Sequence, residues 1–517
     1  MTDFPWLTTL GVVPLVGALA VAFVPAGRER LAKQLALFVS LLVLALTVAM
    51  AAQFEPDSTS AFQFVEQHTW IKQFGISYSL GVDGIALVLI ALLAALVPVV
   101  IVASWNDAES STHRPQTMFA LFLALEGVVV FVFAATDLFL FYVAFEVMLV
   151  PVYFLIGMFG GAQRSYAAVK FLLYSLLGGL VLLVGVVALY VTSVHQLGTG
   201  TFDFTQLVGL PIATSTQRWL FVAFFFAFAV KAPMVPFHTW LPDAAAAGTP
   251  GTNTLLVGVL DKVGTFGMIR LCLPLFPDAA RWAAPVVVTL AVVSVVYAAL
   301  VAIGQGDMNR LVAYTSVSHF GVIVLGVFAF TRLGDSGSVF YMVAHGLSAA
   351  ALFLTAGYLI RRRGSAQIAA FGGVARVAPV LAGVFLLAGL ASLSLPGLAS
   401  FVGELTTLVG SYQRWPVAAV ISVIGIVLAA VYVLHMYKRV AQGPETDDVL
   451  GFSDLGLREA WAIGPIIVVT VVLGFFPQPV FKWVNPAVDR TLAVVGLSEP
   501  APTVPVSGAG SNPGEQP

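Results

Sequence analysis

The chain has 517 residues, of which 59% are hydrophobic and only 10% are charged, and its mean hydropathy is +0.97. A soluble globular protein carries about 25% charged residues, so this composition predicts a polytopic membrane protein. The formal net charge of -2 gives no indication of nucleic-acid binding. Cys272 is the only cysteine, which excludes a disulfide within the chain and a cysteine-ligated zinc or iron–sulfur site.

Long apolar runs recur along the whole chain and predict an all-α fold. A transmembrane helix needs about 20 mostly apolar residues, and 14 runs of this kind are present. The predicted spans are 5–24, 32–53, 84–105, 115–135, 137–160, 166–194, 218–240, 252–275, 282–304, 310–330, 337–360, 378–412, 416–438 and 460–480.

Prolines interrupt two of these spans. The seventh contains Pro233 and Pro236, and the twelfth contains Pro396 followed by Gly397. A proline inside a helix removes a backbone hydrogen bond and kinks or breaks the helix. Broken backbone at membrane depth survives only inside protein or beside a wet cavity, so both interruptions point to functional regions.

Spans 4–8 and 9–13 form two blocks of five helices that begin on opposite sides of the membrane. The fourth helix of each block is the proline-broken one, which is typical of an inverted repeat with sites at the interrupted helices. The alternation in GISYSL also predicts a short hairpin on the outer face. The expected divisions are N-terminal helices with the hairpin (1–114), first repeat (115–276), second repeat (282–440), inner loop with the last helix (441–498) and a disordered, Pro/Gly/Ser-rich tail (499–517).

The distribution of basic residues predicts the orientation of the chain. With the N-terminus outside, inside loops hold 14 of the 24 lysine and arginine residues and outside loops hold 8. Since basic residues favour the cytoplasmic side, both termini are expected on the outer face.

Four charged residues lie near the middle of apolar runs: Glu146, Lys231, Lys262 and Glu404. A charge at the bilayer centre costs about 2.5–3.5 kcal/mol on insertion scales, and such residues usually face a bundle interior or a water-filled path. Two bases and two acids placed this way predict a proton or cation route. The alternatives are a static Glu146–Lys231 ion pair, a structural Lys262 and a Glu404 that only makes an interface hydrogen bond.

Histidines and further polar residues accompany these charges. His238, His319 and His345 lie in apolar segments, where histidine can relay protons or simply pack as a polar residue. Asp261, next to Lys262, is a second intramembrane charge without an obvious partner. Other candidates are Glu126 as a carboxylate, Lys170 as a neighbour that tunes Lys231 or snorkels, and Tyr314, Ser316, Ser318 and Ser348 as a water lining.

Redox and nucleotide motifs are missing from the sequence. It contains no G-x-G-x-x-G after a strand, no P-loop and no haem-type cysteine motif, and the histidine spacing gives no metal-site motif. We therefore expect this chain to bind no cofactor.

Several segments resemble the proton-translocating subunits of respiratory complex I and the related multisubunit cation/proton antiporters. The resemblance covers roughly residues 70–440 and rests on FGISYSLGVDGIAL, DLFLFYVAFEVMLVPVYFLIG, KAPMVPFHTWLPDAAAAGTP, RLVAYTSVSHFGVIVLG and HGLSAAALFLTAGYL. Within this family the chain is similar to the M-type subunits, because it has glutamate at position 404 where the L and N types and the antiporters typically carry lysine.

The resemblance implies roles for individual residues. It implies that Glu146 and Lys231 form a coupled pair, that Lys262 is the central proton carrier and Glu404 the terminal one, and that His319 and His345 lie on a hydrated axis. It also implies L-type and N-type partner subunits in a bacterial inner membrane, with NADH, FMN, iron–sulfur clusters and quinone bound by partners. Two departures are Asp261, where the family usually has an apolar residue, and Asn309, where it often has lysine.

Three hypotheses of function remain at this point. The first is a proton-pumping membrane subunit of an NADH:quinone oxidoreductase. The second is a subunit of a stand-alone cation/proton antiporter, against which Glu404 argues. The third is a structural membrane scaffold with inert ion pairs, which four intramembrane charges beside two broken helices make a poor fit.

Overall fold

A computed structural model describes residues 4–107, 113–444 and 449–497. Helices dominate it. They are α1 (Trp6–Ala22), α2 (Glu29–Ala52), α3 (Gly84–Ala103), α4 (Pro115–Ala134), α5 (Leu138–Val147), α6 (Leu149–Phe159), α7 (Arg164–Leu197), α8 (Phe204–Leu207), α9 (Thr214–Lys231), α10 (Trp240–Ala247), α11 (Pro250–Leu255), α12 (Lys262–Gly267), α13 (Leu273–Leu275), α14 (Pro277–Ile303), α15 (Met308–Val327), α16 (Arg332–Arg363), α17 (Val374–Val377), α18 (Pro379–Ser392), α19 (Ala399–Tyr412), α20 (Pro416–Ala441), α21 (Leu457–Phe475) and α22 (Gln478–Val495).

The helices confirm a polytopic membrane protein. Within the described residues, ten helices are long and apolar enough to cross a membrane, with α5 and α6 counted as one, and α1 and α18 are shorter apolar helices. The finer prediction of 14 spans in two inverted repeats stays a prediction. The tail 499–517 lies outside the described residues.

The helical path is interrupted near both groups of helix-breaking residues. Helix α9 ends at Lys231 and α10 begins at Trp240; α18 ends at Ser392 and α19 begins at Ala399. In the second interruption Ser394 has a left-handed φ of 61° and Gly397 a φ of 93°. The indole Nε1 of Trp240 donates to the carbonyl of Val230 at 2.9 Å, so the first interruption satisfies a carbonyl that the broken helix leaves free.

A two-stranded antiparallel sheet is the one sheet among the described residues. Its strands are β1 (Gln63–Ile71) and β2 (Ile76–Val82), joined by a 3₁₀ turn over Lys72–Phe74. The hairpin predicted from GISYSL is therefore present. Asp83 follows β2 and caps α3 by accepting from the N–H of Ala86.

The last helix, α22, was not predicted. The region 441–498 was expected to hold one helix, but α21 is followed by α22, which buries Val480, Val484, Ala487 and Val488 on one side and keeps Lys482 exposed. Its 18 residues include too many polar side chains for the sequence to predict a membrane-spanning helix. The backbone of α22 packs directly on α3, because a Cβ added to Gly84 would lie 1.7 Å from the carbonyl oxygen of Trp483.

Ion pairs join helix ends with very different degrees of burial. Arg362 at the end of α16 donates to both carboxylate oxygens of Glu459 on α21, at 2.9 and 2.6 Å, and both side chains are 11% exposed. Arg332 of α16 pairs with Asp489 of α22 at 2.9 Å, and these side chains are 52% and 46% exposed. In the Arg362–Glu459 pair, two N–H groups donate to the two oxygens of one carboxylate, and this bidentate geometry makes it a strong interaction between α16 and α21.

We expect Glu459→Ala to lower the free energy of unfolding by about 3–5 kcal/mol, because it leaves the buried guanidinium of Arg362 without its carboxylate. The matched control Asp489→Ala breaks an exposed pair and is expected to cost about 0–1 kcal/mol. Thermal unfolding of the purified, detergent-solubilised protein measures both. Equal shifts for the two variants would contradict the proposed importance of the buried pair.

Candidate proton-conducting axis

The backbone around Lys262 departs from α-helical geometry. Two π-helical turns, Leu256–Leu260 and Met268–Cys272, flank α12. The N–H of Asp261 donates to the carbonyl of Leu256, five residues earlier, instead of that of Val257. The Val257 carbonyl accepts from the ammonium group of Lys262 at 2.5 Å. A π-turn often marks a functional position in a helix, and here it supplies an acceptor for a buried charge.

Lys262 is connected to α16 through a histidine. Its Nζ lies 2.8 Å from Nδ1 of His345, and Nε2 of the same ring lies 2.9 Å from the hydroxyl of Ser316 on α15. The ammonium also lies 5.2 Å from the ring centroid of Phe320, close enough for a cation–π contact. All four residues are buried. A charged Lys262 donates to Nδ1, which leaves the proton of a neutral His345 on Nε2, facing Ser316.

His319 continues the line toward Glu404. The rings of His319 and His345 have centroids 5.3 Å apart. Nδ1 of His319 is 2.6 Å from the hydroxyl of Tyr341. The hydroxyls of Tyr341 and Ser394 both lie near the Glu404 carboxylate, but Oγ of Ser394 makes no hydrogen bond among the described residues. Helices α16 and α19 touch here, since a Cβ on Gly403 would lie 2.7 Å from the Cα of Tyr341. Glu404 and Ser394 border an apolar cavity of about 520 Å³.

Lys231 is the last residue of α9, just before the interruption. The C-terminal end of a helix carries a partial negative charge that favours a cation. Its side chain is buried, and its Nζ has no hydrogen-bond partner among the described residues. The ring centroids of Phe145 and Phe171 lie 5.8 and 5.3 Å from this Nζ. Lys231 is therefore a poorly compensated cation.

Glu146 on α5 lies against a glycine of α7. A Cβ added to Gly179 would lie 1.6 Å from Oε1 of Glu146, so only glycine leaves room for the carboxylate there. Glu146 and Lys231 attract each other. However, Oε1 of Glu146, like Nζ of Lys231, has no hydrogen-bond partner within the described chain, and the two residues form no direct ion pair there.

Two predicted residues lie in a separate group. Lys170 on α7 pairs with Asp243 on α10 at 2.6 Å instead of approaching Lys231, and Arg310 on α15 binds the other oxygen of Asp243. His238 packs edge-on against Tyr297 and Tyr314, with ring centroids 5.5 and 6.0 Å away. Neither nitrogen of His238 has a hydrogen-bond partner in the described part of the chain. His238 is thus beside the axis and not joined to Lys262.

The remaining candidates have mixed positions. Ser316 is on the axis, whereas Ser318 donates to the Val295 carbonyl and Ser348 to that of His345. Glu126 is buried on α4, and neither of its carboxylate oxygens has a hydrogen-bond partner in the described structure. Asn309 is buried near the start of α15. The line from Lys262 is therefore not extended by Ser318, Ser348 or Glu126.

Three polar residues that contact candidate residues were not singled out from the sequence: Tyr341 and Ser394, near Glu404, and Asp243, the partner of Lys170. Asp243 could have been noticed, because a charge follows the broken helix in PFHTWLPDA. Tyr341 and Ser394 carry no comparable signal, since tyrosine and serine are common in apolar helices as packing residues. Their importance depends on which helix lies opposite.

The groups on the line change between hydrogen-bond donor and acceptor as they gain or lose a proton, or, as hydroxyls, can be both at once. Lysine, imidazole, hydroxyl and carboxyl groups alternate from Lys262 to Glu404 within a core that excludes bulk water. Such a series can pass a proton between neighbours when water bridges the remaining gaps. Among the described residues, no cluster of three or more histidine, cysteine or acidic side chains could hold a metal ion.

Comparison with known proteins identifies the family to which the chain belongs. The signature of the family described as "NADH:quinone oxidoreductase/Mrp antiporter, TM" matches residues 135–429. NADH-quinone oxidoreductase subunit M of Mycobacterium tuberculosis is 48% identical, and the match covers 99% of both chains. A chain of "Respiratory complex I from Thermus thermophilus with bound NADH" has a TM-score of 0.86 at 28% identity, covering 95% of this chain and 100% of that one. A chain of the Mrp complex from Dietzia shares the fold, with a TM-score of 0.83 at 23% identity over 96% and 99% of the two chains. The chain therefore belongs to the NADH:quinone oxidoreductase/Mrp antiporter family, among its NADH-quinone oxidoreductase subunit M members.

Proposed function

We propose that this chain is a proton-translocating membrane subunit of a respiratory NADH:quinone oxidoreductase. Partner subunits bind NADH, FMN, iron–sulfur clusters and quinone and carry out the electron transfer, while this chain moves protons. Its membrane is the bacterial inner membrane, both termini lie on the outer face, and its neighbours are the L-type and N-type subunits and lipid. The relatives named above support this assignment through their own complexes.

The observation that carries the proposal is the hydrogen-bonded line from Lys262 through His345 to Ser316, with His319, Tyr341 and Glu404 beyond it. Only a ring contact joins His345 to His319, whose Nε2 has no hydrogen-bond partner among the described residues, so water must bridge this gap. Buried ionisable groups are costly in an apolar core, so their recurrence along this line needs a function that offsets the cost. Proton transfer from a charged Lys262 to His345 leaves a neutral amine and an imidazolium, and the imidazolium can release its other proton toward Ser316.

Glu146 and Lys231 form the input end of the proposed route. When the two approach, each stabilises the charge of the other; when they separate, Lys231 loses that support and releases its proton more readily. A redox-driven movement of a neighbouring subunit at Glu146 would thereby start transfer toward Lys262. One proton is taken up from the inner side and another is released from Glu404 to the outer side.

A stand-alone antiporter is the second candidate, because the Mrp chain from Dietzia has the same fold. Isolation of the native membrane complex in mild detergent, followed by mass spectrometry, distinguishes the two. We expect flavin and iron–sulfur subunits together with NADH:quinone activity. A set of small membrane proteins without redox cofactors would contradict the proposed function.

We expect Lys262→Met in the intact complex to lower NADH-driven proton pumping at least about tenfold, since loss of a positioned proton-transfer group commonly costs this much or more. The acidification of membrane vesicles measures pumping, and native electrophoresis checks assembly. Lys482→Met makes the same substitution on the exposed side of α22 and should pump like the wild type. Wild-type pumping by the Lys262 variant would contradict its role as central carrier.

Adjacent glycines on α7 allow a test of Glu146 without changing any charge. Gly179→Ala places a methyl group where Oε1 of Glu146 lies, so we expect the carboxylate to be displaced and pumping to fall severalfold. The neighbouring variant Gly178→Ala makes only ordinary contacts of 3.4 Å or longer, to Ala227 and Val230, and should be tolerated. The same vesicle assay measures both, and equal pumping by the two variants would argue against a positioned Glu146.

A further inference from the structure

Asp261 is a buried carboxylate without a structural role. It has no exposed surface, and neither oxygen has a hydrogen-bond partner among the residues that the structure describes. It precedes α12 at the N-cap position but makes no side-chain capping bond. Because an unpaired buried charge is strongly destabilising, packing does not explain an aspartate at this position. The missing capping bond means that helix capping does not explain it either.

The packing of α12 on α9 brings Asp261 toward Lys231. A Cβ on Gly264 would lie 2.4 Å from the backbone nitrogen of Ala232 and 2.6 Å from the carbonyl oxygen of Phe228. The two backbones therefore touch beside the end of α9, where Lys231 lies. Asp261 precedes Gly264 by one helical turn and Lys231 directly precedes Ala232, so this contact brings the carboxylate and the ammonium toward each other and the opposite charges attract.

Asp261 and Lys262 face different neighbours. Successive helical residues point about 100° apart. Lys262 contacts Val257 and His345, whereas Asp261 interacts with Lys262 and with Lys231. This short helical segment thus places a carboxylate toward Lys231 and an amine toward His345.

The charges of these three residues balance only when one proton is missing from the lysines. Two ammonium groups and one carboxylate carry a net charge of +1, while one ammonium, one amine and one carboxylate are neutral. Low net charge is favoured in a core of low dielectric constant. When Glu146 is separated from Lys231, a single proton shared between Lys231 and Lys262 therefore suits the cluster, with Asp261 as the anion common to both.

We propose that Asp261 carries the proton from Lys231 to Lys262, directly or through one water molecule. The ammonium of Lys231 gives a proton to the Asp261 carboxylate, leaving a neutral amine and a carboxylic acid. The acid then gives a proton to the neutral amine of Lys262, which becomes an ammonium, and Asp261 is again a carboxylate. One proton moves, and the net charge of the cluster does not change. This inference rests on the proposed function.

The test compares variants of Asp261 in the intact membrane complex. Asp261→Asn keeps the size and hydrogen-bonding capacity of the side chain but cannot carry a proton as an acid, so we expect NADH-driven pumping to fall at least about tenfold with normal assembly. Asp261→Leu should behave similarly, and Asp261→Glu should restore a substantial part of the activity. A purely structural role predicts the opposite order, with asparagine tolerated best.

Asp335 provides a matched control. It is also a buried carboxylate whose oxygens have no hydrogen-bond partner in the described residues. It lies in the first turn of α16, where the helix dipole stabilises an anion. Asp335→Asn should pump like the wild type. Pumping lost equally in Asp335→Asn and Asp261→Asn would overturn the specific role of Asp261.

Infrared difference spectroscopy on turnover adds a readout that packing cannot produce. We expect the C=O band of a protonated carboxylic acid, shifted by isotope labelling of aspartate, absent from Asp261→Asn and retained in Asp335→Asn. If the asparagine variant fails to assemble, the labelled wild type decides, because absence of an aspartic acid band overturns the inference. Wild-type pumping by Asp261→Asn beside an inactive Lys262→Met overturns this inference alone, whereas wild-type pumping by both overturns the proposed function too.

Discussion

The buried ammonium group of Lys262 is the constraint on which the surrounding structure depends. An ammonium enclosed by hydrocarbon is tolerated only when acceptors replace its hydration. One acceptor is a carbonyl within its own helix, that of Val257, made accessible by a π-turn. The other is His345 on α16. Because the ammonium needs the Val257 carbonyl, the backbone before Lys262 is irregular. Because it also needs His345, α16 must lie within hydrogen-bonding distance of Lys262.

Close helix contacts hold the rest of the axis in place. Small residues let helix backbones approach in membranes, where no hydrophobic force drives helices together. Gly179 receives the carboxylate of Glu146, Gly264 lets α12 lie on the end of α9, and Gly403 brings Glu404 to Tyr341. Each of these glycines thus allows a close contact between two helices beside a charged side chain of the axis.

The sequence predicts the apolar helices, the two interruptions, the hairpin and the charged residues at membrane depth. These features are local, since an apolar run, a proline or a buried charge is visible without its neighbours. What contacts a charge is not local: Lys170 pairs with Asp243 instead of approaching Lys231, and Tyr341 meets His319 only because two helices lie side by side. The π-turn beside Lys262 was missed because its apolar sequence, Leu256–Leu260, looks like any other part of a membrane span, and α22 was missed because its polar side chains make it unlike one.

In the proposed route, protons pass along one line from Lys262 to Glu404. Tyr341 is the residue that links His319 to Glu404 on this line, because its hydroxyl lies 2.6 Å from Nδ1 of His319 and near the carboxylate of Glu404. The most direct test is the ratio of protons moved to NADH oxidised in vesicles that contain the Tyr341→Phe complex, which keeps the ring and loses only the hydroxyl. We expect a lower ratio than that of the wild type with normal assembly. An unchanged ratio would contradict a route through this hydroxyl.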